Sequence, residues 1–439
     1  MGKAERTVGP PPPGGVIAPW ARSILERLRA QGSVADDSGL TLRLARTYGF
    51  CQGVERAVER ALAAAAELES WSGEGPRPRL FLTGEIIHNP STNERLRRAG
   101  VTVLSAGEGP ERLGGIRATD WVIVPAFGNT LAEAAELDRI GCRIIDTTCG
   151  WVRRTWRTIE RFAAEGRTTI IHGKVEHEET RATASRARGP YVIVRNRHEA
   201  ELLAAAIRRE ARPSGAGGPA EADRPAHGDP AWPAWFAHAF AGKCSPGFDP
   251  QRDLERLGLV NQTTMLSHET QAIGAILGDA VRARGEASGI ARGPAPGVDR
   301  IARERAPRAE LVADAPPFCT EDTFCPATQE RQDAVRRLLA EEGLDALVVV
   351  GGFRSSNTAH LAALGAERAH TYHVEDAGCL LDGDAIRHLP RGSAEPSVTH
   401  GWRPAAPCTI AVTAGASTPD AEIDRVLVRL LTLYHEARP

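Results

Sequence analysis

What the 439-residue sequence lacks narrows the reading first. No apolar run is long enough to cross a bilayer, so no membrane-spanning segment is expected. Neither charge sign dominates: 54 Lys and Arg stand against 56 Asp and Glu, a formal net charge of −2. That balance gives no electrostatic reason for a nucleic-acid or anionic-membrane partner. The opening residues, MGKAERTVGPPPPGG, hold no apolar h-region, so no secretory signal is read there and the cytoplasm is the expected compartment. The eight cysteines are dispersed rather than clustered, which argues against a disulfide framework and suits a reducing cytosol. No close C-x-x-C pair occurs, so a ribbon-type zinc site is not expected. No P-loop with its lysine occurs either, which removes that route to nucleoside triphosphates.

What is present is an ordinary globular composition, 42% hydrophobic and 25% charged. At roughly 150 residues per domain, the length predicts about three domains. One construction recurs three times. Residues 142–166, CRIIDTTCGWVRRTWRTIERFAAEG, read as a strand, a polar turn, Cys149 and a helix. Residues 42–68 repeat it with Cys51 in GFCQGV, and residues 324–339 with Cys325 in FCPATQERQ. A cysteine opening a helix faces amide N–H groups and the positive end of the helix dipole, which favours thiolate. Thiolates are what a metal or iron–sulfur cluster requires. Cys142, Cys244, Cys379 and Cys408 are read as packing or surface cysteines, and Cys319 as the rival of Cys325 within one short segment.

Strands and helices alternate throughout, and the strand runs are rich in Val, Ile and Leu without alternation, as parallel strands covered on both faces are. The expected class is therefore α/β. Residues 1–40 are read as a partly disordered N-terminal extension. Three α/β lobes follow at 41–148, 149–324 and 325–439, with loose insertions near 210–230 and 285–309 in the second. In α/β sheets the ligand sits at the carboxyl ends of the strands. Those ends hold Cys51, His88, Phe127, Asn129, Cys149, His177, Glu179, Thr263, Cys325, Ser355, Ser356, Asn357 and Ser417. The Ser355-Ser356-Asn357-Thr358 and Gly415-Ala416-Ser417-Thr418 turns each precede a helix and offer hydroxyls and free amides to an anion. Plain N-capping is the competing reading of each. Glu179 in a dry pocket would stay protonated near neutral pH and donate a proton, whereas Glu178 is read as a first-turn helix acid.

The motifs GFCQGVERAV, EIIHNPSTNERL, DTTCGWV, HGKVEHEETRATAS, NQTTM, FCPATQERQ, GGFRSSNTAHL and VTAGASTPD, in that order, closely resemble the LytB-type 4-hydroxy-3-methylbut-2-enyl diphosphate reductases. The wording is nearer the plant and cyanobacterial branch. The resemblance implies mainly parallel sheets in three lobes, a pseudo-threefold cloverleaf around one central 4Fe–4S cluster. It implies Cys51, Cys149 and Cys325 as the cluster's three protein ligands, with the fourth iron left for the substrate hydroxyl. It assigns the diphosphate to His88, His177, Ser355, Ser356, Asn357 and Ser417, contact with the substrate oxygen to Thr263, and the proton relay to Glu179. The implied reaction is reductive removal of the hydroxyl by two electrons and two protons, giving isopentenyl and dimethylallyl diphosphates and water. Ferredoxin or flavodoxin is the implied electron donor. Phe127 stands where the shorter branch has a diphosphate-binding histidine, with Asn129 as a substitute donor, and Gly150 stands where a proline commonly follows the second cysteine. Three other readings stay open at this level: an iron–sulfur sensor or electron carrier, a zinc hydrolase of a phosphorylated metabolite, and a diverged paralogue acting on another allylic diphosphate.

Overall fold

The structure is a computed structural model that describes residues 24–104, 109–209, 231–287, 316–321 and 323–436. The expected 210–230 insertion lies outside the described residues, as do residues 1–23 of the extension and 288–309 of the second insertion. In chain order the strands are β1 (Ser33–Ala35), β2 (Leu40–Leu44), β3 (Leu80–Leu82), β4 (Val101–Val103), β5 (Trp121–Val124), β6 (Arg143–Asp146), β7 (Thr168–His172), β8 (Tyr191–Val194), β9 (Leu257–Asn261), β10 (Phe318–Thr320), β11 (Ala346–Val350), β12 (His370–Val374), β13 (Ala385–His388), β14 (Ser397–His400) and β15 (Cys408–Ala414). The helices are α1 (Ile24–Gln31), α2 (Gln52–Glu69), α3 (Pro90–Arg98), α4 (Leu131–Ile140), α5 (Gly150–Ala164), α6 (Glu178–Ala184), α7 (Arg197–Arg208), α8 (Trp232–Ala239), α9 (Pro250–Asp253), α10 (Ser267–Ala287), α11 (Pro326–Ala340), α12 (Ser356–Gly365) and α13 (Asp420–Glu436). The class is α/β with mainly parallel sheets, as the sequence predicts.

The chain divides into two compact units. The first comprises Met1–Trp71, Glu85–Val103 and Pro326–Pro439, and the second Ser72–Gly84 and Leu104–Cys325. The first unit is built on a sheet of order β1-β2-β15-β11-β12. All its pairings are parallel except β1 with β2. All five residues of β11, ALVVV, are buried, because helices cover both faces of a parallel sheet. On α13, Ile423, Val426, Leu427, Leu430 and Leu431 recur every three or four residues and form one buried stripe against that sheet. Ile24, Leu25 and Leu28 of α1 join the same core. The strand carboxyl ends are tied together: Gly415 donates its amide to Val350 O at 3.0 Å, and Cys51 donates to Ala416 O at 3.2 Å.

In the second unit β3, β5 and β6 run parallel, and a second parallel sheet has the order β10-β9-β7-β8. Residues of α7, α8 and α10 cover one face of that sheet, with Trp232, Phe236 and Phe240 stacked in the core. Ile159 and Phe162 of α5 cover the other face, against Ile171, Ile193 and Val260. Gly258 on β9 is required there, since a Cβ would enter the ring of Phe162. Two elements are not legible in the sequence pattern. β12, HTYHV, is a half-polar edge strand without a branched apolar run. The β13–β14 pair is a short antiparallel hairpin with exposed positions, outside the parallel scheme.

Candidate active site

The first unit carries Cys51, His88, Ser355, Ser356, Asn357 and Ser417. β11 ends at Val350 and the chain turns through Gly351, Gly352, Phe353 and Arg354 to Ser355, the N-cap of α12. Ser355 Oγ accepts the Thr358 amide at 3.3 Å and lies within hydrogen-bond reach of the Thr358 hydroxyl at 2.9 Å and the Ser417 hydroxyl at 3.2 Å. The turns after β11 and β15 therefore meet, at a positive helix end beside buried hydroxyls. Gly351, with φ +148°, and Gly415 leave the space that the Thr358 side chain occupies. Both amide atoms of Asn357 are buried without a hydrogen-bond partner, although the residue is only 3% exposed. A buried amide with neither end satisfied is costly to keep unless a ligand completes it.

Two side chains of β12 prop this turn. His373 Nε2 donates to Gly351 O at 2.9 Å, and burial holds its pKa down to about 4, so the ring stays neutral. Glu375, just past the strand, accepts the Phe353 amide at 3.2 Å. His88 lies between β3 and α3, buried, with Nδ1 2.8 Å from Glu85 Oε2. Asn89 caps α3 through the Thr92 amide and Pro90 opens it.

The second unit carries Cys149, His177, Glu179, Thr263 and Cys325. His177 is the N-cap of α6, its Nδ1 accepting the Glu179 amide at 3.1 Å. The next residue but one, Glu179, is buried. Its Oε1 accepts the Thr263 amide at 2.6 Å and its Oε2 accepts the Thr263 hydroxyl at 2.8 Å. Burial raises the Glu179 pKa to about 7 and outweighs these two donors, which act in the opposite direction. Phe127 meets His177 edge-on, ring centroids 5.2 Å apart. Its loop is anchored by Arg186, which stacks 3.5 Å over the Trp156 ring and donates to Asn129 O. Gly128, at φ +82°, has no room for a side chain because Trp156 fills it.

Cys51 and Cys149 are the N-caps of α2 and α5, and Cys325 directly precedes α11. All three are partly buried. Cys51 Sγ already accepts the Val54 amide at 3.4 Å, the kind of contact that stabilises a thiolate. The remaining cysteines lie elsewhere. Cys379 is fully buried in the first core, Cys142 faces Leu137 O, and Cys408 bonds Tyr434. Burial pushes the Cys244 pKa up to about 12 and that of Cys319, on β10, up to about 11. Cys51, Cys149 and Cys325 thus share a place at the start of a helix, where a thiolate is favoured.

A family profile described as LytB protein matches residues 42–431. The chain belongs to the LytB family. A 4Fe–4S cluster is characteristic of LytB proteins. This LytB chain is 40% identical over 416 residues to the 4-hydroxy-3-methylbut-2-enyl diphosphate reductase of Thermosynechococcus vestitus (strain NIES-2133 / IAM M-273 / BP-1), covering 94% of this chain and 90% of that protein. It is 38% identical over 416 residues to the protein of the same name from Parasynechococcus marenigrum (strain WH8102), covering 94% and 91%. Among solved structures it shares its fold with the E-1-hydroxy-2-methyl-but-2-enyl-4-diphosphate reductase from Plasmodium falciparum, at a TM-score of 0.54, 19% identity and coverage of 89% of this chain and 87% of that one. No helix among the described residues is long and apolar enough to cross a membrane.

Sequence reasoning misses the supporting residues. Glu85 and Arg354 lie inside quoted motifs without a role being read for them, and His373, Glu375, Trp156 and Arg186 lie outside every motif. Only the three-residue spacing of Glu85 from His88 is a visible cue. The others act through loops whose packing partners are distant in sequence.

Proposed function

We propose that this LytB protein is a 4-hydroxy-3-methylbut-2-enyl diphosphate reductase, catalysing the last step of the non-mevalonate route to isopentenyl and dimethylallyl diphosphates. The observation that carries the reading is the Glu179–Thr263 pair. A fully buried carboxyl with a pKa of about 7 is a proton donor for a hydroxyl leaving as water. The relatives' names supply the substrate. Removal of the hydroxyl consumes two electrons and two protons and releases water.

Cys51, Cys149 and Cys325 hold the cluster in this reading, one cysteine from each helix start. Bound there, it supplies electrons and a Lewis-acidic iron. The chain's own residues do the rest. Ser355, Ser356, Asn357 and Ser417 bind the diphosphate with neutral donors and a helix N-terminus. His88 and His177 add imidazole donors. Thr263 orients the substrate oxygen and passes the proton of Glu179. The three-lobe division at 41–148, 149–324 and 325–439 belongs to the same proposal. So do a cytoplasmic setting and a small acidic electron carrier such as ferredoxin or flavodoxin as donor.

The test is anaerobic purification followed by assay with the hydroxylated diphosphate and a low-potential reductant. A brown protein that releases both isoprenoid diphosphates is the expected result. A colourless protein with stoichiometric zinc overturns it. A brown protein that never turns over the substrate points to a sensor or carrier instead.

A further inference from the structure

The two histidines of the proposed diphosphate site are held by different chemistry. His177 uses Nδ1 to accept the Glu179 amide. That nitrogen therefore carries no proton, and the neutral ring has its N–H on Nε2. His177 is a donor without any charge. His88 is the reverse case. Its Nδ1 faces the Glu85 carboxylate at 2.8 Å, so Nδ1 carries the proton. Glu85 thereby fixes the orientation of the His88 ring through its Nδ1 edge.

Glu85 does more than face His88. Its other oxygen, Oε1, lies 3.5 Å from Arg354 Nη1. Arg354 directly precedes Ser355, the N-cap whose hydroxyl meets Ser417. The backbones lock at the same place, because the His88 carbonyl oxygen occupies the space a Cβ on Gly352 would need. One carboxylate thus ties the His88 turn to the Ser355 turn through contacts to both His88 and Arg354.

We propose that Glu85 is a positioning residue for substrate binding: it orients the His88 ring through Nδ1 and docks the His88 turn against the Arg354–Ser355 turn. The inference rests on the diphosphate reading of this site. Glu85 touches no reacting atom, so its loss appears in binding and not in the chemical step. Hydrogen bonds to charged groups of this kind correspond to about a 10- to 100-fold effect on affinity.

The experiment compares the iron-loaded protein with Glu85→Gln, Glu85→Asp, His88→Asn and the Glu85→Gln/His88→Asn double variant. It measures KM, kcat and inhibition by inorganic diphosphate, with iron content and thermal midpoint as folding controls. Glu85→Gln is expected to raise KM and the diphosphate inhibition constant about 10- to 100-fold with kcat nearly unchanged. Glu85→Asp, which keeps the charge, is expected to recover part of that loss. The double variant is expected to be no worse than His88→Asn alone, as for two residues acting through one contact. If Glu85→Gln loses iron or structure, Glu85→Asp and its double with His88→Asn carry the same comparison. An unchanged Glu85→Gln beside a weakened His88→Asn overturns the role of Glu85 and leaves the site reading intact. Losses that add in the double variant also overturn it. Unaltered diphosphate inhibition in His88→Asn overturns the site reading itself, and this inference with it.

Discussion

Glu179 and Thr263 are joined twice, backbone amide to Oε1 at 2.6 Å and hydroxyl to Oε2 at 2.8 Å, with both residues buried. The carboxyl is thereby fixed in place while burial keeps its proton within reach of neutral pH. Glu179→Gln keeps the shape and removes the transferable proton. Turnover is expected to fall by about two to four orders of magnitude with iron content and diphosphate inhibition retained. Glu178→Gln, at the first turn of α6, is expected to do far less. Steady-state kinetics of the two variants side by side decide which acid matters.

The same carboxyl sets a pH dependence with a definite sign. Its folded pKa, about 7, lies above its ordinary value of 4.5. Between those values the folded protein holds a proton that the unfolded chain has lost, so stability falls as pH rises through that window. The shift corresponds to about 3 kcal/mol lost by pH 8. Thermal unfolding from pH 4.5 to 8 should show wild type losing ground to Glu179→Gln by that order. Turnover should decline above about pH 7 in wild type, and this limb should be missing from the variant's profile.

Serine in place of Cys51, Cys149 or Cys325 is expected to lower iron content and abolish activity. Replacements at Cys142, Cys244, Cys379 and Cys408 should leave iron content alone, although the buried ones will cost stability. Cys319→Ser should also keep its iron, since burial holds that thiol protonated. Iron analysis and the visible spectrum of each anaerobic variant check this set.

Gly352→Ala places a methyl group where the His88 carbonyl oxygen lies. Backbone cannot yield as a side-chain tip would, so a stability loss of roughly 1–3 kcal/mol is expected, as in overpacked cores. KM should rise as the two turns part. Denaturant unfolding and KM measured on one preparation test both effects.

The fold was largely readable because its parallel strands are unbroken apolar runs. Tyr191–Val194 and Ala346–Val350 begin and end where the sequence places them. Turn chemistry was equally plain at Asn89–Pro90 and at Ser355. Strands that escaped notice are short or polar, such as β10 with FCT and β12 with HTYHV. Their pairing partners, not their own composition, make them strands. Within the candidate site, the sequence singles out Glu179 and Thr263 separately, and the structure brings the two into contact. Glu85 and Arg186 were not legible, because their value lies in contacts no local pattern encodes: a neighbouring turn for one, a Trp face and a loop carbonyl for the other.

The amide of Cys51 is bonded to Ala416 O, and that of Gly49 to Ala414 O. β2, which leads into them, lies against β15. The first cysteine of the chain is therefore placed by almost the last strand to be synthesised. A ribosome that has made 325 residues has joined all three proposed ligands into the chain but has not yet made the platform for the first of them. Folding of this sheet must wait for a contact between chain ends, a slow and non-local closure. On the proposed ligand set, iron loading is an event of the finished polypeptide, and chains truncated before β15 should accumulate without cluster even in iron-replete cells.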